Sequence, residues 1–194
     1  MRLQAIICLL IGSPGLLAED NRLIRIVPSR TLPAFESVSI YTSATFKTGK
    51  DKPKPLAERK FERGFGDLLV AVDAEAVHVF VKPKDGAEVQ IASSLTVKPG
   101  QTSVLKLADL LGVIDVTQKD GFPRVDRIVL TAPGDPGPDE KGHVAVQIGS
   151  DYRVEMPVPE GFYAVWLVPA NGARALRIED KTRVLPGKIV RIGN

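Results

Sequence analysis

Val-His-Val-Phe-Val-Lys-Pro-Lys-Asp-Gly-Ala (77–87) has a counterpart in Tyr-Ala-Val-Trp-Leu-Val-Pro-Ala-Asn-Gly-Ala (163–173), 86 residues further along the chain. Each stretch is an apolar strand ending in Pro and then a turn ending in Gly. Downstream, Val97-Lys98-Pro99-Gly100 aligns with Val184-Leu185-Pro186-Gly187, and Leu105-Lys106-Leu107 aligns with Val190-Arg191-Ile192. A supersecondary pattern written twice predicts an internal duplication. The predicted units are residues 19–107 and residues 108–194.

Working outward from these stretches, helical periodicity is almost absent. Short alternating or apolar runs rich in Val, Ile, Leu and aromatics are separated by Pro and Gly. Strands are predicted at Arg22–Val27, Ser37–Ser43, Asp67–Val72, Val77–Lys82, Glu88–Ile91 and Thr102–Leu107 in the first unit. The second unit is predicted to carry Asp126–Thr131, His143–Ile148, Tyr152–Pro157, Phe162–Val168, Arg174–Ile178 and Lys188–Ile192. Leu107–Leu111 has room for one helical turn between units. The fold class expected is all-β: two tandem antiparallel β-sandwich-like repeats. Pro99-Gly100 and Pro186-Gly187 carry type II turn chemistry, with Pro pre-setting one φ and Gly accepting a positive one.

Together with Val158-Pro159-Glu160-Gly161-Phe162-Tyr163, the strand, Val-x-Pro-Gly turn and closing strand resemble the transthyretin-like and carboxypeptidase-regulatory-like sandwich repeats of secreted bacterial proteins. The resemblance covers about 40 residues of the second unit, with a weaker match in the first, where Ala74-Glu75 replaces the family's Pro and Gly turn residues. It implies a binding or structural module and carries over no catalytic residue.

The N-terminus predicts export. Arg2, the apolar run Ala5–Leu17 broken by Pro14-Gly15, and Ala18 before Glu19-Asp20 have the order of a secretory signal peptide over residues 1–18. The run is too short to span a bilayer. A first buried strand is the alternative reading of the same residues. Cys8 is the only cysteine and lies inside the run, so a chain cut after Ala18 has no thiol, disulfide or Cys-ligated metal. A periplasmic or extracellular protein is expected, with no transmembrane segment in the mature chain. The formal net charge of +3 in 194 residues carries no nucleic-acid signature.

Catalytic patterns are missing from the sequence. It has two histidines, His78 and His143, and no nucleophile elbow, zinc-helix motif, phosphate loop or dinucleotide fingerprint. No cofactor or metal is expected. Asp135, Asp139 and Glu140 lack the alternate-position spacing of a calcium loop.

Two features are candidates for function. The segment 47–63 carries Lys47, Lys50, Lys52, Lys54, Arg59, Lys60 and Arg63 against Asp51, Glu58 and Glu62, a net of +4, whereas Gly134–Gly142 is net −2. The first is a candidate contact to an anionic surface; the alternative is a pair of solvated loops. The second is an aromatic face. Alternation puts Tyr163, Val165 and Leu167 on one side of their strand, and Phe162, Ala164, Trp166 and Val168 on the other. Phe80 takes the place of Trp166 in the first unit. Phe80, Phe162 and Trp166 are expected to meet the other unit, a partner protein or a local cover. The function expected is an exported, non-enzymatic binding or structural module of the cell envelope, contacting protein or an anionic envelope polymer. The alternatives are an accessory or inhibitor subunit docking on an extracellular enzyme, or a glycan-binding module using Trp166.

Overall fold

The computed structural model describes residues 21–42, 53–62, 66–138 and 152–193, together with the main chain of 143–149. The expected signal peptide, Lys47, Lys50, Lys52 and Arg63 lie outside the described residues. Those described form an all-β protein with a single helical turn.

The first half contains β1 (Arg22–Val27), β2 (Phe35–Thr42), β3 (Ala57–Lys60), β4 (Leu68–Val72), β5 (Ala76–Pro83), β6 (Val89–Thr96) and β7 (Thr102–Lys106). The helical turn α1 (Leu107–Leu110) follows. The second half contains β8 (Leu111–Thr117), β9 (Val125–Thr131), β10 (His143–Gly149), β11 (Arg153–Pro159), β12 (Gly161–Pro169), β13 (Leu176–Val184) and β14 (Ile189–Ile192). The four sheets have the orders β4-β1-β7, β3-β2-β5-β6, β11-β8-β14 and β10-β9-β12-β13. Adding seven to each strand number of the first pair of sheets gives the second pair.

The senses of pairing match as well. β1 runs antiparallel to β4 and parallel to β7; β8 runs antiparallel to β11 and parallel to β14. The parallel pairs correct the expectation of purely antiparallel sandwiches. In each half the chain leaves the four-stranded sheet and crosses to the other before adding its last strand. The polarity of that strand is therefore set by the crossover and not by a hairpin.

Alternation fills each sandwich. Ile24, Ile26, Val70 and Val72 from one sheet meet Val38, Ile40, Val79, Val81 and Val89 from the other in the first core. Ile114, Val116, Val154 and Met156 meet Ile128, Leu130, Val165 and Leu167 in the second. The register equates Ile24 with Ile114, Ile40 with Leu130, and Val79 with Val165. The final turns agree: Gly100 has φ 67 and Gly187 φ 66, and in each an amide donates across the turn at 3.2 Å, Gln101 to Lys98 and Lys188 to Leu185.

Two expectations are adjusted. Among the described residues there are fourteen strands where twelve were predicted, because β3 lies within the segment read as a loop and β8 at the junction between units. The alignment of Leu105 with Val190 slips by one pleat: Leu105 faces Ile26 and Ile192 faces Val116, so Leu105 and Ile192 are the equivalent pair. A shift of two residues leaves inward and outward faces unchanged, so periodicity could not detect it. The halves also meet through β8, which serves two cores. Leu111 and Val113 belong to the first, while Ile114 and Val116 belong to the second.

Candidate functional site

The candidate aromatics Phe80, Phe162 and Trp166 fall on the outer faces of the four-stranded sheets. Trp166 is buried in a small cluster with Val129 and Ala164, with Val168 and Ala175 packed against it. Its indole N–H donates to Thr131 Oγ1 at 3.0 Å, and the Arg177 guanidinium lies 5.1 Å from the ring centroid. All these residues belong to the second half, so the described contacts of Trp166 form a local cover and not a junction between halves. The cover leaves little ring face for stacking on sugar. Phe80, in the equivalent place, meets Tyr41 edge-on at 5.4 Å, and Tyr41 occupies the position of Thr131. Phe162 is exposed, with Lys181 Nζ 4.8 Å from its ring centroid.

Of the seven basic candidates, Lys54, Arg59 and Lys60 are described, and all three are exposed. Ala57–Lys60 is an edge strand on β2, with Ala57 opposite Ile40 and Lys60 opposite Ser37. Charged side chains are a common protection for such an edge. Part of the positive charge is answered locally. Glu36 is paired with Lys82 at 2.7 Å, and Lys82 first, then Lys60, holds its carboxyl below the usual range. Arg59 donates to the Glu58 carbonyl at 3.0 Å.

Sequence reasoning missed an ion cluster at the meeting of the halves. Asp115, on β8, is 2% exposed. Arg153 donates to both its oxygens, at 3.1 and 2.9 Å, and to Glu155 at 2.9 Å; Arg191 on β14 lies 3.8 Å away. The hydrogen bond to Asp115 holds the Arg153 guanidinium above its ordinary pKa. At the equivalent place in the first half, Arg25 pairs with Asp67. The register equates Arg25 with Asp115 and Asp67 with Arg153, so the ion pair recurs with its charges exchanged. Val104 stands where Arg191 stands, so that position beside Arg25 is apolar. The only sequence signal was Asp115 inside the apolar run 111–116. Arg153→Ala leaves Asp115 with Arg191 alone. Because Arg153 is largely exposed, solvent screens the pair and the expected outcome is a small fall in the urea midpoint, measured by urea denaturation.

Beside this cluster is a groove of about 320 Å3 whose walls come from both halves. The first half supplies Ala34, Lys84 and Asp85, and the second supplies Arg153 and Glu155. β6 and β11 touch nearby. A second, more polar hollow lies at the turn from β8 to β9, where Tyr152 OH and Gln118 Oε1 are buried without a hydrogen-bond partner. His78 Nδ1 lies 3.1 Å from Gln90 Nε2, a strand-surface contact. Among the described residues, no group of three or more His, Cys, Asp or Glu side chains could hold a metal ion, and no helix is long and apolar enough to cross a membrane.

No family model and no curated protein matches the chain. Among solved structures it is similar to a leucine-rich repeat protein from Bacteroides thetaiotaomicron, at 11% identity and a TM-score of 0.25. The match covers 90% of this chain and 26% of that one. At that score the likeness carries no argument about fold or function.

Proposed function

We propose that this chain is an exported, non-enzymatic binding or structural module of the cell envelope, built from one sandwich unit used twice through internal duplication. The observation that carries the reading is the common wiring of the two halves, in strand order, pairing sense and closing turn. It is joined by a junction whose buried polar group, Asp115, is committed to Arg153 and Arg191. Side chains bonded to one another in this way hold shape. Export is supported by Arg2, the apolar run 5–17 and Ala18. The resemblance to transthyretin-like repeats points to the same class.

The segment 47–63 is the proposed contact to an anionic envelope polymer or lipid surface. Lys54, Arg59 and Lys60 supply exposed charge along one edge of a sheet. Attraction of this kind is screened over about 8 Å at 0.15 M salt. The wild-type chain is therefore expected to sediment with anionic vesicles or wall polymer at low salt and to be released as salt rises. Reversing Lys50, Lys52 and Lys54 to Glu should abolish sedimentation and leave the melting temperature nearly unchanged. A wild-type chain that sediments with no anionic polymer at low salt would remove this contact from the account.

A further inference from the structure

The junction between the halves has two sides, and each side has an equivalent at an end of the molecule. The docking side is the outer face of β11-β8-β14; its equivalent is the outer face of β4-β1-β7. There Leu69 is 56% and Val104 50% exposed. The receiving side is the end of the first sandwich around β6, with Val89 4% exposed; its equivalent is the end of the second around β13, with Leu176 44% exposed. Val89 and Leu176 hold the same register position, opposite Val81 and Leu167. The turn anchoring the receiving side also recurs: Lys84 N–H donates to Ala34 at 2.9 Å, and Ala170 N–H to Arg124 at 3.4 Å.

The residues lining these surfaces change together. In the groove within the chain, Arg153 and Glu155 face Ala34, Lys84 and Asp85. On the equivalent docking face, Asp67 replaces Arg153 and Leu69 replaces Glu155. On the equivalent receiving end, Arg124 replaces Ala34, and Ala170 and Asn171 replace Lys84 and Asp85. Where the docking side gains a carboxylate, the receiving side gains a guanidinium. Where the docking side loses a charge, the receiving side loses both of its own. A second copy brought into the relation that the second half has to the first would set Asp67 and Leu69 against Arg124, Ala170 and Asn171.

We propose that the chain self-associates head to tail, the outer face of β4-β1-β7 of one copy seating on the β13 end of the next. The inference rests on the junction geometry and not on the envelope reading. The two sides differ, so the contact is heterologous and adds copies head to tail, in an open chain or in a ring where the rotation closes. Within the chain, the connection between halves supplies an effective concentration on the order of millimolar, so the junction needs little affinity of its own; separate copies are expected to associate at roughly 10–500 µM.

The test is sedimentation equilibrium of the full chain at rising concentration, for wild type, Leu69→Glu and Leu176→Glu. Both positions are exposed, and Glu already stands at the Leu69 equivalent, so unchanged melting curves are expected. Wild type should grow beyond a dimer as concentration rises, and each variant alone should stay monomeric. A mixture of the two variants should form a one-to-one dimer and nothing larger, because each retains the side the other lacks. A wild-type monomer at about 1 mM would assign both faces to another occupant and overturn the proposal. So would a closed dimer that Leu69→Glu abolishes and Leu176→Glu does not. Association through residues 1–18 would survive both substitutions and would equally overturn it.

Discussion

Trp166→Ala lowers the free energy of unfolding by about 3–4 kcal/mol, the range for deleting a large buried aromatic. The loss has three sources. The cluster with Val129 and Ala164 loses its largest member. Thr131 Oγ1 loses the indole donor that reaches it at 3.0 Å while staying buried, and Arg177 loses the ring beneath its guanidinium. Trp166→Phe keeps much of the packing and discards the hydrogen bond, so its cost should fall near 1–2 kcal/mol. Urea denaturation of the three proteins checks the order. A loss below about 1 kcal/mol for Trp166→Ala would mean that the cluster contributes no stability.

Gly112→Ala is the second large effect, and its cause is steric. A Cβ at this position in β8 would lie 2.4 Å from the Leu185 carbonyl oxygen and 2.5 Å from Val184 Cγ1, with the Lys188 carbonyl at 3.1 Å. Two of these neighbours are main chain in the closing turn before β14, so relief requires moving that turn. The turn is itself held to β8: Gly187 N–H donates to Leu111, and Val113 N–H to Lys188, both at 2.9 Å. The expected destabilisation is about 3 kcal/mol, at the upper end for an overpacked core. Thermal unfolding followed by circular dichroism reads it directly. In the first half, Arg22 occupies the equivalent place at the open start of β1 and donates to the Val97 carbonyl at 3.1 Å, so a side chain is accepted there.

Much of this fold can be read from the sequence because short apolar strands are punctuated by Pro and Gly turns in the same layout twice. Val77, Val79 and Val81, and Val165 and Leu167, declare their cores; Pro-Gly declares both closing turns; Phe80 and Trp166 declare each other. β8 escapes because it is buried on both faces and reads as a continuous apolar run with one aspartate. β3 escapes for the opposite reason: four residues, mostly charged, stand at a sheet edge. The parallel pairs escape because crossovers leave no local mark. The junction was illegible for a further reason. Asp115 and Arg153 are 38 positions apart, and their equivalents carry opposite charges, so a search for matching residues between halves passes over them. Arg177, over the Trp166 ring, comes from β13, where the register shifts between Val165 and Trp166, and simple pleat counting does not place it there.

The common wiring of the halves is the claim on which the rest depends, and the interstrand nuclear Overhauser pattern of the isotope-labelled chain tests it most directly. Parallel contacts are expected twice, Ile24 with Ser103 and Ile114 with Val190. Antiparallel contacts should flank each, Ile24 with Val70 and Ile114 with Met156. Parallel contacts in one half only, or an antiparallel pattern between β8 and β14, would contradict the account.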